Sequence, residues 1–217
     1  MRVFSNFAVS LDGRIADRGA PSKPLGTPLD RKTMQTIRKM CDVVVVGAGT
    51  LRAHPHSMKL TGRLPSHRKQ PANVIVSGNA DFDPTWDFWK DDSVVRIVFT
   101  TQHSLAKAVE ASRDRALVFA AGQGKKVEMP KVFEKLKALG FKNVLVEGGG
   151  ELMSDVMAAG LLQELYVTLT PWILGGRHNP SMVMGDETLW TRLELKKQRK
   201  LGQEIYLHYR VKGARRV

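Results

Sequence analysis

CDVVVVGAGT, residues 41–50, sets four consecutive valines against a pair of glycines. A short unbroken apolar run bounded by turn residues is the pattern of a strand buried on both faces, as in a parallel sheet. A strand that empties into glycines is also the pattern of a phosphate-binding turn. The standard dinucleotide fingerprint is Gly-x-Gly-x-x-Gly with an acidic ribose reader about 20 residues later. Here the third glycine position is Arg52, and residues 59–80 hold no Asp or Glu. The fingerprint of a standard Rossmann site is not met, and the P-loop pattern is absent as well.

A second turn, VLVEGGGELMSD at residues 144–155, is the stronger anion site. An apolar strand ends in Glu147, three glycines follow, and a helix begins near Glu151. Glycines let the backbone approach a diphosphate, and the N–H groups and dipole of a helix start attract it. A ligand-free strand-to-helix turn reads the same way on spacing alone. Two such turns at strand ends of one sheet favour the ligand. Glu147, at the rim of a buried strand, requires a partner. A backbone N–H, an arginine or a ligand N–H each satisfies it.

Working outward, alternation and β-branched content predict strands near residues 2–9, 42–46, 73–77, 94–100, 116–120, 143–147, 165–170 and 204–211. Helical patterns cover 29–40, 130–139, with Pro130 suited to a first turn, and 151–159, stopping at Gly160. No helix is expected after residue 160. This is a three-layer α/β domain over residues 1–217 with a mostly parallel mixed sheet and antiparallel C-terminal strands. Nothing in the chain marks a linker.

The 217 residues are 42% hydrophobic and 25% charged, with no low-complexity tract or repeat, so disorder is not indicated. The one cysteine, Cys41, excludes an internal disulfide and a Cys-rich zinc site and suits a reducing, cytoplasmic setting. No segment approaches the roughly 18 apolar residues of a membrane span, and the N-terminus lacks a leader pattern. The expectation is a soluble, unprocessed protein with no metal. The net charge of +13 favours anionic partners. Its basic residues are scattered, without a nucleic-acid-binding motif, and a solvated basic surface is the simplest reading. No nucleic acid and no membrane is expected as a partner.

FAVSLDGRIA, DVVVVGAGT, LTGR, VLVEGGGEL and TPWILGG occur here in that order. In these five motifs the chain resembles, over essentially its whole length, the reductase domain of the bifunctional riboflavin-biosynthesis deaminase/reductases. The resemblance implies a dihydrofolate-reductase-like fold and NADPH-dependent reduction of 5-amino-6-(5-phosphoribosylamino)uracil to its ribitylamino product. It implies a phosphorylated small-molecule substrate and a homodimer. With one cysteine the chain cannot supply the zinc deaminase site, so a stand-alone reductase is expected.

Residue by residue, the resemblance places Ala8, Thr50, Ser77 and the segment 149–155, including Gly149, Gly150, Glu151 and Leu152, against NADPH. It places Ser22, Arg38, Leu60, Arg63 and Glu147 against the substrate, and the two arginines suit a phosphate because guanidinium binds it bidentately. Without the resemblance, Arg38 reads as a surface helix residue, and Asp12 as part of a strand-ending Asp-Gly turn. Two positions depart from the family. Pro24 stands where it has tryptophan. Its Asp-x-Pro aspartate becomes His54 counted forward from Thr50, or His56 counted backward from LTGR. Reduction requires an opened ribosylamine, a hydride to C1 and a proton, so the protein must juxtapose reactants at about 3–3.5 Å. His54 is a candidate general acid alongside Glu147 as a catalytic residue, since histidine titrates near cellular pH. A solvated loop histidine, with a water or substrate proton route, is the other reading of His54. Two further functions stay open: a reductase of the same fold on another heterocycle, and a basic nucleic-acid-binding protein.

Overall fold

The computed structural model describes residues 1–18 and 25–216. The predicted substrate residue Ser22 and the Pro24 departure lie outside the described residues. In chain order the elements are β1 (Arg2–Val9), α1 (Pro28–Arg38), β2 (Val43–Gly47), α2 (Ala48–Ala53), β3 (Ala72–Val76), β4 (Arg96–Thr100), α3 (Leu105–Ser112) and β5 (Leu117–Ala120). Then follow α4 (Met129–Ala138), β6 (Asn143–Val146), α5 (Gly150–Ala158), β7 (Glu164–Leu169), β8 (Leu189–Leu201) and β9 (Glu204–Arg216). The strands form a nine-stranded sheet in the order β5-β4-β3-β2-β6-β1-β7-β9-β8. The pairs β1–β7, β2–β3, β3–β4 and β4–β5 are parallel, and β7–β9 and β8–β9 are antiparallel. This is the expected α/β class, with antiparallel strands confined to the C-terminal part. By internal contacts the chain divides into two compact units: Met1 with Arg38–Val144, and Arg2–Ile37 with Leu145–Val217.

In the first unit the four valines of β2 are fully buried, and β3 and β4 are buried along their whole lengths. A strand covered on both faces has no polar side to show, which is why β2 reads as unbroken Val and why the polar residues of β3 and β4, Asn73, Arg96 and Thr100, are exceptions inside apolar runs. Burying each such side chain contributes about 1.5–3 kcal/mol relative to exposure. α4 carries proline in its first turn and buries Val132, Phe133 and Leu136. Two helices here lie outside the sequence expectations. α2 is six residues long and sits inside the glycine turn itself. α3 buries only Ala108 and Ser112, too few to write a helical stripe.

In the second unit β1 runs beside β7, with Ala8 opposite Thr168. β8 was not expected as a strand. It is last in the sheet order, none of its thirteen residues is buried, and its lysines suit an open edge. Such a strand needs no apolar alternation, so its sequence shows none. Buried Glu204 fixes the start of α1: it accepts from the Thr27 amide and hydroxyl, both at 2.8 Å, and from the Tyr206 hydroxyl at 2.5 Å. The Thr27 hydroxyl oxygen in turn accepts from the amides of Leu29 (3.2 Å) and Asp30 (3.4 Å), capping the helix. Glu164 receives two hydrogen bonds from Arg2 (2.7 and 2.9 Å) and lies 2.8 Å from His208 Nε2. The Arg2 bond chiefly holds its carboxyl down at about 2 against partial burial.

Candidate active site

The stronger glycine turn belongs to the second unit. β6 ends at Val146, whose carbonyl accepts from the buried Ser5 hydroxyl at 2.7 Å, and Glu147 follows, half-buried. Gly148 takes φ +108°, a region closed to most side chains. Gly149 is the N-cap of α5, and no side chain caps this helix. Its amides at Gly150, Glu151 and Leu152 therefore have no partner inside the helix, the arrangement that attracts an anion. Glu151 is exposed and Leu152 buried. The turn is braced by its own unit: the Met184 amide donates to the Gly150 carbonyl at 3.0 Å. A Cβ on Gly150 would stand 2.3 Å from the Ser181 carbonyl oxygen and 2.9 Å from Met184 Cγ.

The SLDG and TPWILGG stretches meet through the Leu11 amide, which donates to the Trp172 carbonyl at 2.7 Å, and through the Asp12 side chain. Asp12 accepts from the Ser10 hydroxyl at 2.6 Å and from the amides of Leu174 (3.0 Å) and Gly175 (2.8 Å). The Ser10 bond, then the backbone bonds, hold its carboxyl down at about 2. Asp12 thus has the structural role its turn pair suggested. Ala8, half-buried, lies just before this turn on β1.

In the first unit Gly47 is the N-cap of α2, again without a side-chain cap. Parallel register sets Gly47 opposite Val76, so Ser77 lies at the strand end beside the turn. Ser77 is buried, and its hydroxyl meets Asn79 Oδ1 at 3.1 Å. Thr50, half-buried in α2, and Ser77 therefore share one edge. The chain leaves α2 at His54, whose amide donates to the Thr50 carbonyl at 2.9 Å.

From there it returns to the opposite end of β3. Arg38 Nη1 donates to the Lys59 carbonyl at 3.1 Å, which brings Arg38 next to buried Leu60. Arg63 is exposed three residues further on. The predicted cofactor residues Thr50 and Ser77 and the predicted substrate residues Arg38 and Leu60 are thus held at opposite ends of a five-residue strand, which is about 13 Å long at ~3.3 Å per residue. His54 and His56 are both exposed. His54 forms no side-chain hydrogen bond among the described residues, whereas His56 lines a hollow of ≈ 330 Å³ with Ser57, Lys59, Asp87, Lys90 and Asp91.

Sequence reasoning missed Asn73 and Gln70. Asn73, fully buried, accepts from the Met58 amide at 2.7 Å and donates to the Met58 carbonyl at 3.0 Å. Gln70 treats Leu60 the same way, at 2.8 and 3.1 Å. A signal existed: a polar residue inside the apolar run ANVIV is costly unless bonded. Among the described residues no cluster of three His, Cys, Asp or Glu side chains is placed to hold a metal ion. No described helix is long and apolar enough to cross a membrane.

The family described as the RibD C-terminal domain matches residues 1–207. A 2,5-diamino-6-ribosylamino-4(3H)-pyrimidinone 5′-phosphate reductase from Methanothermobacter thermautotrophicus is 29% identical over 97% of this chain and 98% of its own length. The riboflavin biosynthesis protein RibD of Bacillus amyloliquefaciens is 30% identical over 82% of the chain, which spans 48% of that protein. Among solved structures, a pyrimidine reductase-like protein from Corynebacterium diphtheriae superposes with a TM-score of 0.83 at 21% identity, covering 97% of this chain and 91% of that one. A dihydrofolate reductase from Enterococcus faecalis reaches a TM-score of 0.52 at 15% identity, over 97% and 96%. These structures share the fold.

Proposed function

Because the chain belongs to the RibD C-terminal domain family, we propose that it is a reductase of riboflavin biosynthesis that uses NADPH to convert the ribosylamino group of a pyrimidine 5′-phosphate to ribitylamino. The observation that carries the substrate is the full-length likeness to a reductase named for the 2,5-diamino-pyrimidinone. The likeness to RibD and to a Thermotoga maritima protein named as a deaminase and 5-amino-6-(5-phosphoribosylamino)uracil reductase favours that uracil as a second substrate, which differs in the ring and not in the bond reduced.

Ala8, Thr50, Ser77 and the α5 amides at Gly150, Glu151 and Leu152, with Gly149 before them, would hold the cofactor. In each unit a helix start without a side-chain cap supports its own residues in this assignment, because N–H groups that have no partner inside the helix suit a phosphate. When bound, NADPH supplies the hydride. Arg38 and Arg63 bind the substrate phosphate, Leu60 packs on the substrate, and Glu147 accepts from its ring. Ser22 joins them by resemblance. His54 supplies a proton, so His54→Ala lowers turnover about 10²-fold, the usual scale for a general acid, while His56→Ala is nearly silent. The enzyme works in the cytoplasm as a homodimer, with sedimentation at twice the chain mass expected.

The absence of an acidic ribose reader after Gly47, with a net charge of +13, supports NADPH over NADH. Calorimetry with both nucleotides tests it, and equal dissociation constants refute it. The activity test is NADPH oxidation by purified protein with each pyrimidine phosphate in parallel. Binding of NADPH without oxidation by either one moves the substrate to another heterocycle.

A further inference from the structure

The loop that carries Leu60 and leads to Arg63 pairs with no strand through backbone hydrogen bonds among the described residues, yet residues 58–60 are held as a strand would be. Met58 and Leu60 are buried and Lys59 is exposed. The two buried positions each present one N–H and one C=O, and each pair is met by a single carboxamide, Asn73 for Met58 and Gln70 for Leu60. A carboxamide offers a donor and an acceptor at that spacing at any pH, which an ionised carboxylate does not. The intervening Lys59 carbonyl is taken by Arg38. Pro71 lies between the two amides and has no N–H to offer, but its carbonyl accepts a further bond from Asn73 Nδ2 at 3.1 Å.

We propose that Gln70 and Asn73 are positioning residues for substrate binding: Asn73 anchors the loop, and Gln70 sets the depth of Leu60 and the reach of Arg63. This rests on the reading of Leu60 and Arg63 as substrate contacts. Gln70 is the informative member, since it is half-buried and among the described residues its side chain bonds the residue of interest. Asn73 is fully buried, and its loss endangers the fold itself.

The experiment uses Gln70→Glu and Gln70→Met in the full chain. An ionised carboxyl loses the donor to the Leu60 carbonyl and faces that carbonyl with like charge. A protonated one restores it. For Gln70→Glu, KM for the pyrimidine phosphate should rise about tenfold at alkaline pH. That excess should shrink as pH falls toward the titration of the introduced carboxyl, with kcat and the NADPH dissociation constant nearly unchanged. For Gln70→Met, which keeps the length without either polar atom, the rise should be independent of pH. Hydrogen exchange of the Leu60 amide should quicken in both variants. Unchanged KM in both variants, or a loss of NADPH affinity in step with KM, overturns the assignment. So does unchanged exchange at Leu60, whatever the true substrate. Failure of the parent protein to turn over either pyrimidine sinks the functional reading instead, and the Leu60 exchange then judges the clamp on its own.

Discussion

Two turns in this molecule have the same local plan, a buried strand running into glycines and a helix without a side-chain cap, yet they are held differently. In the turn after β6, Gly150 is required by the protein's own packing, because the Ser181 carbonyl and Met184 occupy the space a Cβ would need. In the turn after β2, the nearest atom to a Cβ on Gly49 is the end of the Arg52 side chain, 4.0 Å away. The first glycine is explained without a ligand. The second is not. A glycine-rich turn is therefore weak evidence of a ligand where packing demands the glycine, and better evidence where the protein leaves the space open.

The largest effect should come from Gly150→Ala. A backbone carbonyl cannot rotate away from a Cβ at 2.3 Å, so the variant should lose about 3 kcal/mol of stability or fail to fold. A denaturant midpoint equal to the parent's would show that the 181–184 segment yields, and the contrast between the turns would vanish.

Gly185→Ala probes the same brace more gently. Its Cβ would meet Ser154 Oγ at 2.2 Å and Ser154 Cβ at 3.1 Å, and a loss of about 1–2 kcal/mol is expected. Adding Ser154→Ala removes the nearer atom and should return most of that loss in a double-mutant cycle. Additive penalties would mean the clash lies elsewhere.

The support of the TPWILGG stretch should depend on acid. Asp12 is depressed to about 2 by the Ser10 hydroxyl and the Leu174 and Gly175 amides. A depressed carboxyl stabilises the anchored form above the ordinary carboxylate range, about 3.9. That contribution is lost as pH falls through about 2. The amide resonances of Leu174 and Gly175 should therefore titrate near that low value and stay flat above pH ~5. Titration at an ordinary aspartate value would detach Asp12 from this role.

The smallest stability effect belongs to Gly49→Ala, within about 0.5 kcal/mol, since the methyl meets open space. Its informative readout is affinity: the NADPH dissociation constant should rise about tenfold if the cofactor backbone rests on this turn. An unchanged constant makes both turns purely structural in their glycines.

The alternation of strand and helix, the buried valines and the two glycine turns were legible in the sequence because each is a local pattern of burial. So were the motifs that place the chain in its family. α1, α4 and α5 begin and end within two residues of their expected limits, as is usual at helix ends. β8 was hidden because an open edge strand has no buried face to write a period. Other features were set only by tertiary structure, because they join residues whose proximity no local pattern encodes. Asp12 reaches Gly175 across 163 positions. The use of Gln70 as a partner for the Leu60 backbone depends on the loop folding back to the start of β3. The same holds for Gly150: three glycines in a row announce a turn, but only the tertiary structure brings the Ser181 carbonyl into the space a Cβ on Gly150 would need.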